Sequence, residues 1–339
     1  MGHRWRLRWA LVALLVMAAG AAAIWNPSSS SASSRESSAP AGAAALQDAY
    51  NSVLDRARPS VVEISTESGL GSGVIYNRDG DIVTNAHVAE GATTVRVRLA
   101  DGRRRRAAVV GSYDPDDLAV VHVDATGLQP ATFADSSKVR VGDIVLAIGN
   151  PLGLSGTVTD GIVSAKARTV NEGDGVVLPS TIQTSAAINP GNSGGGLVGL
   201  DGRVIGIPTL VATNPELGGS APGIGFAIPS STVQLIANQL IANGVVTMSD
   251  RAMLGVTGAT ATSSDGSPVG VLVKSARSRA TRAGIAPGDI ITRVGRTQTP
   301  TIDALLIKIA HLAPGRRTAV TVRHPNGDTQ TYTVVLGTL

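Results

Sequence analysis

The stretch Ile188-Asn189-Pro190-Gly191-Asn192-Ser193-Gly194-Gly195-Gly196 sets the terms for the rest of the chain. Four glycines and asparagine neighbours surround one serine, between apolar, strand-like runs at 180–188 and 197–207. Glycine reaches backbone conformations closed to residues with a Cβ. A turn of this composition can therefore push out a hydroxyl and aim successive N–H groups at one point. Acyl transfer needs both, a nucleophile and donors for an oxyanion. A plain Gly/Ser turn between strands reads the same way, so the chemistry needs partners from elsewhere in the chain.

At 339 residues the chain is long enough for two domains. Aromatics are 3% of it and glycines number 40, so Val, Ile, Leu and Ala must build the core. It has no cysteine, which removes disulfides, thiol nucleophiles and thiolate metal sites. The net charge is +4, but without Arg4, Arg6 and Arg8 it is +1, and no nucleic-acid partner is expected.

Residues 1–25 read as a targeting segment: His3, Arg4, Arg6 and Arg8, then the uncharged run Trp9–Trp25. Small-residue sites at Ala19–Ala21 and Ala21–Ala23 suit cleavage and secretion. Trp9 and Trp25 suit interfacial anchors of a retained single-pass span with the remainder outside the cytoplasm. Residues 26–45 are rich in Ser, Ala and Pro and read as a flexible stalk. Leu46–Arg58 has helical spacing, closed by Pro59.

From Ser60 the period changes to that of strands. Val61–Ile64 and Gly73–Tyr76 are predicted strands separated by 67–72, and Asp81 begins another. Gly69–Gly73 resembles a phosphate loop only superficially, since no Lys-Ser/Thr follows it. His87 is predicted to end a strand of β-branched residues. Thr93–Leu99 and Arg106–Gly111 form a predicted hairpin, whose basic run Arg103–Arg106 suits a solvated edge that discourages pairing or a contact with lipid headgroups or a partner. Asp114, Asp116 and Asp117 precede an apolar strand. Asp117 abuts Leu118 and is the one expected below the surface, where a carboxylate needs a partner such as an imidazole N–H. A metal site is the rival reading, without a matching ligand cluster.

His87, Asp117 and Ser193 thus lie in that order, 30 and 76 residues apart, each at a strand end. The chain here resembles the Deg/HtrA family of trypsin-like serine proteases, of the bacterial membrane-anchored type with one C-terminal PDZ domain. The segments that carry the resemblance are Thr84–Val88, Asp117–Val120, Ile148–Gly153, Thr159–Ser164, Gly191–Gly195 and Gly223–Pro229. The resemblance implies a mostly β chain, a chymotrypsin-like double β-barrel (46–245) followed by a small α+β PDZ domain (251–339). It implies a serine endopeptidase in which Ser193 attacks, His87 moves the proton and Asp117 orients the imidazole. The N–H groups of Gly191 and Ser193, with the Asn192 peptide correctly turned, would form the oxyanion hole. Ile188, Thr209, Leu210 and Val211 would line a shallow apolar specificity pocket.

A helix is predicted over Ser230–Gly244, with a Ser231/Gln234 capping box and Gly244 as its stop. A hinge near 245–250 leads to the motif Ala283–Ile291, similar to PDZ domains. That likeness implies strand addition of C-terminal peptides beside Leu254, Gly255 and Val256, against Leu305 and Ile309. Expected partners are unfolded or extended polypeptide substrates, such C-terminal peptides, the membrane through residues 1–25, and further copies of the chain; the aromatics that build the family's trimer are scarce near 49–62. No cofactor or metal is expected. The alternative function is a chaperone-like or peptide-binding module with little proteolysis.

Overall fold

Short runs of Val and Ile broken by Gly, Asp and Asn turns favour strands over long helices, and they close into two β-barrels. The computed structural model describes residues 41–67, 69–150, 156–173, 176–189, 191–214 and 219–339. The predicted targeting segment and most of the stalk lie outside these residues. The stalk's last five positions do not continue it, because the first helix, α1 (Ala41–Ala57), already includes them. Among the described residues, no helix is long and apolar enough to cross a membrane.

The first barrel comprises β1 (Val61–Ser65), β2 (Leu70–Ile75), β3 (Asp81–Thr84), β4 (Thr94–Arg98), β5 (Arg104–Tyr113) and β6 (Leu118–Val123). Its strand order is β1-β2-β3-β6-β5-β4, closed on itself. One helical turn, α2 (Ala86–Ala89), follows β3. The second barrel comprises β7 (Ile144–Gly149), β8 (Thr157–Gly173), β9 (Val176–Thr184), β10 (Gly196–Gly199), β11 (Val204–Asn214) and β12 (Gly219–Pro229), in the closed order β10-β11-β12-β9-β8-β7. Helix α3 (Ser230–Asn243) follows it.

Alternation along the strands divides the core. Val62 and Ile64 fill the first barrel, whereas Val61 belongs to a second cluster with Leu118, Leu146, Ile148, Val53 of α1, and Ile236 and Leu240 of α3. Strands buried on both faces read as continuous apolar runs rather than alternating ones, which is why 118–121 is wholly apolar. Gly244 ends α3 in the left-handed region, as predicted, with its N–H on the Leu240 carbonyl. The capping box does not form. The Ser136 hydroxyl, from a distant loop, accepts the Ser231 N–H at 3.2 Å, and the Ser231 side chain bonds Ser136 at 2.8 Å.

The connection after α3 is held rather than free. The Gln239 side chain accepts from the Thr247 and Met248 N–H groups and donates to the Met248 carbonyl. Beyond it come β13 (Ala252–Met253), β14 (Val256–Thr262), β15 (Pro268–Ala276), α4 (Ser278–Ala283), β16 (Ile290–Val294), β17 (Thr297–Gln298), α5 (Ile302–Ala310), β18 (Arg317–Arg323), β19 (Thr329–Val335) and β20 (Gly337–Thr338). The main sheet runs β14-β15-β16-β18-β19, and β13 pairs with β20. Helix α5 packs on β8 and β9, where the Thr169 hydroxyl meets His311 Nε2 at 3.0 Å. Ala45–Leu339 accordingly forms one compact unit.

Candidate active site

Three segments converge where the barrels meet. β3 ends at Thr84, earlier than predicted, and His87 stands in the single turn α2. Asn85 occupies the cap position, but its side chain does not cap the turn. Its Nδ2 instead donates to the Asp117 carbonyl at 3.0 Å, tying the two loops together.

Asp117 ends the 3₁₀ turn Asp114–Asp116 in the left-handed region, with φ 47° and ψ 47°. Asp and Asn tolerate that region better than most side chains. The conformation turns the carboxylate inward, leaving the residue 4% exposed. Three groups bond it: the His87 N–H at 3.0 Å, His87 Nδ1 at 2.9 Å, and the Thr209 hydroxyl, which donates at 2.5 Å. A ring nitrogen that faces a carboxylate donates to it, so Nδ1 carries a hydrogen, and in the neutral imidazole Nε2 is then the acceptor. The imidazole is 46% exposed, so it faces the cleft.

Ser193 approaches from the other barrel. Its hydroxyl donates to the Thr209 carbonyl at 3.1 Å, so Thr209 touches both the serine and the acid. The turn before it closes through the Asn192 N–H on the Asn189 carbonyl at 3.0 Å, with Gly191 at φ 102°. Glycine takes a positive φ at this third position without the strain that a Cβ would bring. Among the described residues, the Gly191 and Ser193 N–H groups meet no acceptor.

Glycine is required at 194 for two reasons. Its φ is 80°, and a Cβ there would lie 2.2 Å from the Ser72 carbonyl oxygen. Ser72 itself was missed in the sequence, where 67–72 was predicted as a connection. It lies inside β2 because Gly71 and Gly73 let Val88, Ile64 and Ile82 pack close. Its hydroxyl donates to the Gly191 carbonyl at 2.5 Å and accepts from the Asn150 N–H at 2.8 Å, and its own N–H donates to the Ser193 carbonyl at 2.8 Å. A small hydroxyl between two strand glycines was the available signal.

The predicted pocket residues separate. Ile188 is 6% exposed and packs against Gly225, where a Cβ would come within 2.5 Å of it. Thr209 does not supply a pocket side chain, because its hydroxyl is engaged by Asp117. The side chains of Leu210 and Val211 lie outside the described residues. The five residues predicted for the second site do come together. Leu254, Gly255, Val256, Leu305 and Ile309 line one cavity of about 610 Å³, and Asp114, Pro115 and Val177 from the barrels line it too.

Asp117 is the one carboxylate of this turn expected below the surface, but Asp116 is buried as well. It is 4% exposed and pairs with Arg251 at 3.1 Å, while Arg251 also donates to the Pro115 and Val177 carbonyls. Burial pushes the Asp116 carboxyl up to about 6, against the opposing pull of the Arg251 charge. The apolar run after Asp117 marks that carboxylate for burial, but nothing local marks Asp116, whose partner Arg251 lies far along the chain.

Comparison with known proteins fits this geometry. The model of the trypsin-like peptidase domain matches residues 71–207. Serine protease PepD of Mycobacterium tuberculosis is 38% identical over 301 residues, 82% of this chain and 64% of that protein. A probable periplasmic serine protease, do/HhoA-like, of Haemophilus influenzae is 41% identical over 266 residues, covering 75% and 55%. The chain thus spans between half and two thirds of the length of these relatives. Among solved structures, the HtrA-type protease AlgW with a decapeptide superimposes with a TM-score of 0.60 and 32% identity, over 86% of this chain and 98% of that one. On this similarity, the chain belongs to the HtrA-type family of trypsin-like serine proteases.

Proposed function

We propose that the chain is an exported serine endopeptidase acting on extended polypeptides, with Ser193 as nucleophile, His87 as general base and then acid, and Asp117 as the group that orients the imidazole. What supports this reading is the run of contacts from His87 Nδ1 to the Asp117 carboxylate, from that carboxylate to the Thr209 hydroxyl, and from the Thr209 carbonyl to the Ser193 hydroxyl. Ser193 Oγ adds to the peptide carbonyl as its proton passes to His87 Nε2. The Asp117 carboxylate stabilises the imidazolium that forms. The Gly191 and Ser193 N–H groups receive the oxyanion, and loss of one such donor typically costs about 3–4 kcal/mol in the transition state. His87 then protonates the leaving amine, and a water repeats the sequence to release the acid. An apolar Ile188 rather than a carboxylate five residues before Ser193 is the support for expecting Val, Ala, Ile or Leu, not a basic residue, before the scissile bond.

The region 251–339 is a PDZ domain in this reading. Both barrels are closed, whereas β14 is at the edge of its sheet and can accept an added strand beside the cavity at Leu254–Val256 and Leu305. That AlgW is solved with a decapeptide supports a peptide occupant. Residues 1–25 would hold the enzyme on the outer side of the cytoplasmic membrane, or leave it free after cleavage.

The test uses the full chain and its Ser193→Ala variant with a serine-reactive phosphonate and an unfolded protein substrate. Labelling and cleavage by the parent alone are expected. Cleavage that survives in Ser193→Ala overturns the assignment.

A further inference from the structure

The hairpin β4–β5 carries charges that its own fold does not use. Arg96 stands in direct register with Arg106, and Arg98 with Arg104. Their strand neighbours Val95, Val97 and Ala107 are buried, so these four arginines occupy the outer face of the barrel. Arg96, Arg104 and Arg106 are exposed and Arg98 is half-buried. Like charges directly opposite one another on a sheet destabilise it. Among the described residues none of the four is in an ion pair, and only Arg103, at the turn, has a carboxylate, that of Asp101 at 2.6 Å. Glu63 is in register on the other flank of Arg98, and Ser65 on that of Arg96.

Protection of a sheet edge would explain such residues on an open sheet. Here it does not. β4 pairs with both β1 and β5, and β5 with both β4 and β6, so neither strand has a free edge. The charge is also local. Without Arg4, Arg6 and Arg8 the chain carries +1, and without the six hairpin arginines at 96, 98 and 103–106 it carries −5. Residues 9–250 carry −6, and −12 without those six arginines, so within the barrel region the hairpin is a basic face on an acidic body, while residues 251–339 carry +7 of their own.

We propose that the outer face of the β4–β5 hairpin seats on an anionic phospholipid surface. Guanidinium groups match phosphate oxygens with paired hydrogen bonds. Four of them on two adjacent strands, about 5 Å apart across the pair and about 7 Å along each strand, need several phosphates in one plane. An anionic bilayer presents such a plane, whereas a free phosphate meets only one or two of the four. The sequence keeps that surface within reach. Residues 26–40 separate the apolar run Trp9–Trp25 from α1, and a chain of that length spans about 50 Å at most. This last point rests on the membrane anchor proposed above; the charge array does not.

The absence of cysteine gives a clean probe. Thr94→Cys, exposed and in register with Ala108 beside the array, would carry an environment-sensitive fluorophore on the full chain. The labelled chain is reconstituted into vesicles of phosphatidylcholine alone or enriched in phosphatidylglycerol. Blue-shifted emission and shielding from an aqueous quencher are expected only in the anionic vesicles, with reversal at high salt. Each arginine near an anionic surface is worth roughly a fivefold factor. Arg96→Gln/Arg98→Gln/Arg104→Gln/Arg106→Gln should therefore cut the docked-to-undocked ratio by more than about a hundredfold. Its melting temperature should stay level or rise, because only repulsion is removed. Equal emission in the two vesicle types, or a fourfold variant that still docks, overturns the proposal, as does a fall in its melting temperature, which would make the arginines structural. Preference for double-stranded DNA over anionic vesicles at equal phosphate overturns it in favour of a nucleic acid. Phosphonate labelling of Ser193 in the same samples reads the protease assignment separately.

Discussion

The Ser72 hydroxyl donates to the Gly191 carbonyl at 2.5 Å, across the boundary between the two barrels. With the Ser72 N–H on the Ser193 carbonyl, one residue of the first barrel grips the turn of the second on both sides of Asn192. Replacing Ser72 by Ala leaves the Gly191 carbonyl without its donor and the buried Asn150 N–H without its acceptor. A destabilisation of about 1–3 kcal/mol is expected. The turn that carries the proposed oxyanion donors also loosens, and a displacement of that kind can cost about 100-fold in rate. Steady-state kinetics should show kcat falling while KM changes little; an unchanged kcat would make Ser72 purely structural.

Thr209 gives the second prediction. Its hydroxyl is the donor to Asp117 that does not come from His87. Hydrogen bonds to charged groups contribute about 1.5–3 kcal/mol. Thr209→Val should lower kcat/KM by roughly 10- to 100-fold, and Thr209→Ser should restore it. The serine's contact is to the Thr209 main chain and persists in both variants. Equal rates for the Val and Ser variants would rule out the hydroxyl as the cause.

Asp116 imposes a pH dependence opposite to that of a carboxylate whose pKa an ion pair lowers. Burial raises its folded pKa from 3.8 to about 6, so between those values the folded chain holds a proton that the unfolded chain releases. Stability from this group therefore rises as pH falls through about 6 and levels off below 3.8, by at most about 3 kcal/mol. Asp116→Asn removes the titration. Chemical denaturation from pH 7 to pH 4 should show the parent gaining on the variant; parallel curves would refute the shift.

His324 acts in the neighbouring window. Its Nδ1 meets the Asp289 carboxylate at 2.7 Å, and that hydrogen bond raises the imidazole above its ordinary 6.5. A raised folded pKa contributes stability that is complete below 6.5 and fades as pH rises through the folded value. The melting temperature of His324→Gln should fall furthest below the parent's under pH 6.5, with the gap closing toward alkaline pH. A gap independent of pH would show that only the neutral hydrogen bond counts.

What the sequence disclosed follows from what was local. The Gly-rich turn at 191–196, the left-handed stop at Gly244 and the apolar run after Asp117 each express their structure within a few residues, and each formed as predicted. The failures involve partners far along the chain. Ser231 is capped by Ser136, not by its own neighbour Gln234, and Asp116 is buried by an arginine 135 residues away. The strand containing Ser72 was read too short because strand glycines look like a loop until the side chains that fill their space are in place. The arginines of β4 and β5 suited an edge strand, and only closure of the barrel removed that explanation.

The cavity at Leu254–Val256 is not walled by its own sheet alone. Asp114 and Pro115, in the turn that ends at Asp117, and Val177 of β9 complete it. If the cavity takes a peptide, as proposed, an occupant that presses on that wall would act on the turn that carries Asp117. Such coupling between two binding equilibria is reciprocal: whatever factor the occupant applies to affinity at the cleft, a ligand in the cleft must return to the cavity. An inhibitor bound at the proposed nucleophile Ser193 would then also be a reporter, and its effect on the affinity of a peptide for the cavity would measure the strength of the connection without any turnover.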